Sequence, residues 1–183
     1  MKFTETPLAG AFVLDIEPHA DARGFFARTA CAEDFARHSL DGHFVQQSVS
    51  FNALKGTLRG LHFQAQPHEE DKLVRVTRGA IFDAIVDLRQ GSPSFGKWFG
   101  VELSASNHRQ LYIPKGFAHG FQTLEDSSEV LYAMTVPYAP GFGRGIRWDD
   151  PAIGVDWPLE VDSTDRRRIS SADTTHPNLV ASS

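Results

Sequence analysis

A chain of 183 residues, 41% of them hydrophobic, can bury one good core and gives no compositional reason to look for a second. A formal charge of -5 and a pI near 5.9 exclude the broad basic field of a nucleic-acid binder, and the single cysteine, Cys31, excludes an intramolecular disulfide and a cysteine zinc cluster. Fourteen Phe, 15 Gly and 10 Pro favour a turn-rich, all-β protein over a helix bundle.

The first expected strand is Ala11–Glu17. The apolar piece Leu8–Leu14 is closed by Asp15 and Glu17 and carries no cleavage pattern, so it does not read as a signal peptide. No run approaches the roughly 18 apolar residues of a membrane span, and the expectation is a cytoplasmic protein without membrane attachment. Glu33–His38 is the clearest helix. Strands are then expected at Phe44–Phe51, Thr57–Gln64, Lys72–Arg78, Ile81–Leu88, Gly96–Leu103, Arg109–Ile113, Gly116–Leu124 and Glu129–Thr135, the rhythm of a sandwich or jelly roll. Gly91–Ser94 and Tyr138–Gly145 read as loops. From about Ser163 the chain turns polar, so a single domain over 1–183 is expected to end in a loosely held polar tail from about residue 174.

Side chains alternate faces along a strand, so an apolar row interrupted by a polar residue is informative. Gln47 interrupts Val45, Val49 and Phe51; Lys72 begins the row of Val74 and Val76; His119 lies between Phe117 and Phe121; Tyr132 lies between Val130 and Met134. An inward polar group is costly unless paired or ligand-bound. Four intrusions on separate strands point to one polar cavity in a barrel mouth. Arg59 and His62 have opposite parity, and they share a face only if Gly60 marks an irregularity.

Pro114-Lys-Gly-Phe-Ala-His119 matches the second cupin motif, Pro-x-Gly-x-x-His, whereas the His-x-His of the first reads His62-Phe-Gln64. Two histidines alone are too few for a transition-metal site unless Glu69 or His68 adds a third ligand, so no metal is expected. Gly141-x-Gly143-x-Gly145 lacks the strand-to-helix setting of a phosphate loop, and Arg166–Arg168 reads as a solvated run. His19, His38, His43, His68, His108 and His176 have no motif context and receive no role.

Taken together, Arg23-Gly-Phe-Phe26, Gly56-Thr-Leu-Arg-Gly-Leu-His-Phe-Gln64, Lys72-Leu-Val-Arg-Val-Thr-Arg-Gly79, Ile113-Pro-Lys-Gly-Phe-Ala-His-Gly-Phe121 and Arg144-Gly-Ile-Arg-Trp-Asp-Asp-Pro151 resemble the dTDP-4-dehydrorhamnose 3,5-epimerases, in order from about residue 5 to Asp173. The resemblance implies a cupin-type jelly-roll β-barrel with a few short helices, no cofactor, a homodimer and a nucleotide-sugar substrate. It implies His62 as general base with Asp173 orienting it, Tyr132 as the acid on the opposite sugar face, and Lys72 stabilising an enolate. Arg23 and Arg59 would hold the pyrophosphate, Gln47, Phe26 and His119 line the pocket, and Tyr138 stack on the base. The chemistry asks for such a set independently. A proton beside a ketone leaves only if the oxyanion is stabilised, and inversion needs a second proton carrier on the other face.

Arg28, Val49, Gly143 and Ala172 stand where the family usually has Glu, Asn, Glu and Lys. These departures keep open a 3-epimerase or an enzyme for a CDP- or GDP-linked sugar. A non-catalytic sugar-nucleotide-binding cupin is the reading from another class.

Overall fold

The computed structural model describes residues 1–180. Its elements run β1 (Lys2–Glu5), β2 (Phe12–Asp15), β3 (His19–Asp21), β4 (Gly24–Phe26), α1 (Ala32–Arg37), β5 (Gln46–Asn52), β6 (Leu58–Gln64), β7 (Lys72–Arg78), β8 (Ala80–Asp87), β9 (Trp98–Ser104), β10 (Gln110–Ile113), β11 (Phe117–Thr123), β12 (Ser128–Met134), β13 (Gly143–Gly145) and α2 (Ser171–Thr175). Two antiparallel sheets face each other. One has the order β1-β2-β10-β7-β12-β5, the other β13-β6-β11-β8-β9, and β3 and β4 form a separate hairpin. The expected strands appear as β2 and β5 to β12, and the expected helix as α1, while β1, β3 and β4 were not expected. The expected loop Tyr138–Gly145 ends in β13, which pairs with β6. None of the described helices is long and apolar enough to cross a membrane.

The main core fills the space between the sheets: Val74, Val76 and Val130 on one side meet Ile81, Ile85, Phe117 and Phe121 on the other. Three of the four polar-interrupted rows therefore point inward as their apolar members demand. The fourth does not. Val49 and Phe51 of β5, and Val45 just before it, are exposed, and the inward row is Gln46, Ser48, Ser50 and Asn52. Ser48 is the direct partner of Tyr132 and shares its face, so Gln47 faces away. The rule that apolar means inward fails here because this edge strand walls a polar cavity and turns its apolar row outside.

Each sheet's outer face has its own cover. Phe35 of α1 packs with Leu14, Leu73 and Tyr112, while Ile146, Ile153, Trp157 and Leu179 pack on Leu61, Val86 and Ala118. Thus part of the expected polar tail packs: Leu179 joins that outer cluster, and its backbone N–H donates to Asp150. The last three residues of the tail lie outside the described residues.

Between β6 and β11 the register pairs His119 with His62 but Phe121 with Arg59, so β6 carries one extra residue. That bulge puts Arg59 and His62 on the same face, resolving their parity conflict. Gly60 sits in it at φ +140°, and a Cβ there would lie 2.5 Å from Gly120 Cα. Gly60→Ala should therefore combine backbone strain of about 1–3 kcal/mol with overpacking of similar size, about 1–3 kcal/mol. Urea unfolding should show the loss, whereas Gly143→Ala, with nothing within 4 Å of its added Cβ, should unfold close to the parent protein.

Candidate active site

His62 belongs to β6 in one sheet, Lys72 and Tyr132 to β7 and β12 in the other. They line a two-lobed cavity. One lobe, about 390 Å³, is bounded by His62, Lys72 and His176; the other, about 320 Å³, by Lys72, Tyr132 and Gln46. Gln64, Glu70, Lys72 and Tyr138 border both, so Lys72 stands at the waist with the histidine on one side and the tyrosine on the other.

His62 Nε2 lies 2.5 Å from Asp173 Oδ1. The carboxylate is buried, and Ser170, the cap of α2, holds both ends of the residue: its hydroxyl donates to Asp173 Oδ2 at 2.8 Å and accepts the Asp173 backbone N–H at 3.1 Å. This local capping motif builds a rigid mount for a catalytic-type carboxylate on a helix of five residues. Burial pushes the Asp173 carboxyl up, but the hydrogen bond and charge of His62, with the Ser170 hydroxyl, outweigh it and hold the group below its ordinary value.

A carboxyl held low in the native state contributes stability that is fully present above its unfolded value, near 3.9, and is lost as pH falls through the lower native value. Asp173→Asn should therefore lower the unfolding midpoint at pH 6, and the gap from wild type should shrink as pH falls below about 4. Thermal scans across that range check it.

Tyr132 has no hydrogen-bond partner for its hydroxyl among the described residues. Burial pushes that hydroxyl well above the ordinary tyrosine range, the negative charge of Asp83 adds to this, and Arg59 opposes it. The phenol consequently stays protonated at neutral pH. His119, nearly buried, meets the Tyr132 ring edge-on at 5.8 Å between centroids, and its Nε2 lies 2.6 Å from Asp83 Oδ1. Arg59 donates from Nε to Asn52 Oδ1 at 2.8 Å. Tyr138 is exposed at the rim, its N–H donating to Gln46 Oε1.

Arg23 and Phe26 are elsewhere. Both ride the β3–β4 hairpin, with Arg23 bound to Asp21 and its side chain 90% exposed, and Phe26 78% exposed beside Met1, His19 and Arg28. Gln47 lines a separate depression with Thr29, Arg75 and Gln110 on the outer face. Within one chain these three expected binding residues do not join the others.

Three neighbours escaped the sequence reading. Asp83 interrupts the apolar row of Ile81 and Ile85, a signal of the kind noticed on other strands. Glu70 lies in the turn before β7, where no periodicity exposes it. Its buried carboxylate accepts from Lys72 Nζ at 2.9 Å and from Gln64 Nε2 at 2.5 Å. His176 follows α2, and its Nε2 is 3.8 Å from Asp173 Oδ1.

A family model described as dTDP-4-dehydrorhamnose 3,5-epimerase matches residues 5–181. A dTDP-4-dehydrorhamnose 3,5-epimerase of Methanothermobacter thermautotrophicus is 48% identical over 160 residues, covering 87% of this chain and 85% of that protein. The crystal structure of a dTDP-4-dehydrorhamnose 3,5-epimerase from Bacillus anthracis, with TDP and PPi bound, superposes with a TM-score of 0.91 at 40% identity, covering 97% of this chain and 99% of that one. A dTDP-6-deoxy-D-glucose-3,5-epimerase from Legionella pneumophila, in complex with dTDP-4-keto-L-rhamnose, gives 0.88 at 37% identity over 97% and 92%. With a family match across nearly the whole chain and relatives at this identity, the protein belongs to the dTDP-4-dehydrorhamnose 3,5-epimerase family.

Proposed function

We infer that this protein is an isomerase that epimerises a dTDP-linked 4-keto-6-deoxyhexose at C3 and C5, the two carbons flanking the ketone. The observation that carries this reading is Lys72 at the waist of the cavity, with a carboxylate-bound histidine on one side and a proton-holding tyrosine on the other. His62 takes the proton from the carbon beside the ketone, and Asp173 stabilises the resulting imidazolium. The electron pair moves onto the C4 oxygen, where the Lys72 ammonium meets the developing charge. Tyr132 returns a proton to the opposite face, and the enolate collapses to the inverted ketone. His119, fixed by Asp83, and Arg59 add polar contacts to the sugar and the pyrophosphate, with Tyr138 against the base.

The test is NMR in D2O with dTDP-4-keto-6-deoxyglucose, following C3 and C5 separately. Deuterium entry and inversion at both carbons is the expected result; exchange at C3 alone would make it a monoepimerase, and exchange at neither would defeat the reading.

The working form is a cytoplasmic homodimer in which Arg23 and Phe26 reach the cavity of the second copy. The exposed Val45, Val49, Phe51 and Phe26 supply apolar surface for that contact. Sedimentation should give twice the 20.2 kDa chain mass. Mixing Arg23→Ala chains with His62→Ala chains should restore activity that neither has alone, because one mixed site regains both residues.

A further inference from the structure

We propose that His62, Asp173 and His176 form a site for a transition-metal cation of the zinc class, and that such a cation inhibits the enzyme by capturing its base. One donor atom from each residue lies within 4.8 Å of the other two. Two imidazole nitrogens and a carboxylate oxygen are the donor set that zinc, nickel and copper prefer, whereas magnesium and calcium favour oxygen alone.

The geometry needs little adjustment. Zinc bonds of about 2.0–2.1 Å put tetrahedral ligand atoms roughly 3.3 Å apart. The 2.5 Å pair of His62 and Asp173 must open and the 3.8 Å pair of His176 and Asp173 must close, each by less than about 1 Å against that spacing. His62 is half exposed and can swing, while Asp173 Oδ2 stays anchored by Ser170, the outer-shell support that ligating carboxylates use. His176 is seated against Gly145, where a Cβ would lie 2.4 Å from its Nε2. Gly145 pairs in register with His62, so one bare backbone position lets the second imidazole stand beside the first. Both imidazoles border the larger lobe, which has room for a water as fourth ligand, while Asp173 is buried behind them.

This site is not the one marked by the cupin motifs. There, His119 is engaged by Asp83 and Gln64 by Glu70, and neither contributes here. A metal on Nε2, the nitrogen that faces Asp173, leaves the ring proton on Nδ1, the nitrogen that must be bare to take the substrate proton, so occupancy and proton abstraction exclude each other. The inhibitory half rests on His62 being the base; the binding half does not.

Two measurements on the metal-free, full-length protein separate these halves. Co2+ titration should produce visible d–d absorption saturating at one equivalent per chain, displaced by Zn2+. Turnover should fall as Zn2+ is added and recover with EDTA. His176→Phe keeps a ring and removes the donor, and should raise the Zn2+ needed for half-occupancy and for half-inhibition by more than about tenfold, since even outer-shell losses cost that much. Each variant is referred to its own metal-free rate, and His108→Phe should change neither value. Asp173→Asn serves as second variant should His176→Phe fail to fold. No stoichiometric Co2+ signal, or one indifferent to both variants, overturns the site. Binding that depends on His176 with unimpaired turnover overturns the inhibition and, separately, removes His62 from the base role.

Discussion

His62→Ala should abolish both epimerisation and hydrogen exchange between substrate and D2O. Without a base no carbanion forms, and the loss of one general base costs about 10²–10⁴ in rate. Both readouts must fall together, because they share the abstraction step. Asp173→Asn should fall less far: the imidazole remains, but the charge that steadies the imidazolium and the 2.5 Å ionic hydrogen bond are gone. One NMR experiment in D2O scores both variants. Exchange within a few-fold of wild type in His62→Ala would move the base elsewhere in the cavity.

Tyr132→Phe should separate what His62→Ala joins. The ring and its edge contact with His119 persist, and only the donated proton is lost. Deuterium should keep entering from the histidine side with retention, while inversion falls by about 10²–10⁴, the usual worth of a positioned proton donor. A variant that inverts as fast as it exchanges, with both rates unimpaired, would leave Tyr132 a packing residue and make Tyr138, at the same rim, the next acid to test.

Much of the fold was legible because each inner strand carries a plain alternation. Val74-x-Val76, Phe117-x-x-x-Phe121 and Val130-x-x-x-Met134 announce both a strand and its inward face, and the polar residues among them mark the cavity. The same rule misread β5, since Val49 and Phe51 are exposed and the inward row of that strand is polar. It also missed short elements such as β13 and α2, which three to five residues cannot declare by period. The His62–Asp173 contact joins residues 111 apart and came from family resemblance rather than from pattern. His176 escaped because what places it is the room left by a glycine on another strand.

The proposed base and acid are mounted on different sheets, and what separates the sheets is the packed core of Val74, Val130, Ile85, Phe117 and Phe121. Facing sheets sit about 10 Å apart, and close-packed interiors resist compression. The thickness of the hydrophobic core is therefore a gauge block for stereochemistry: it sets how far a flat enolate can sit from the group that protonates its second face. A larger side chain at Val130 or Val74 would wedge the gap open, and the enzyme would lose inversion while it could still fold and exchange protons, so residues that never touch substrate would decide which sugar leaves.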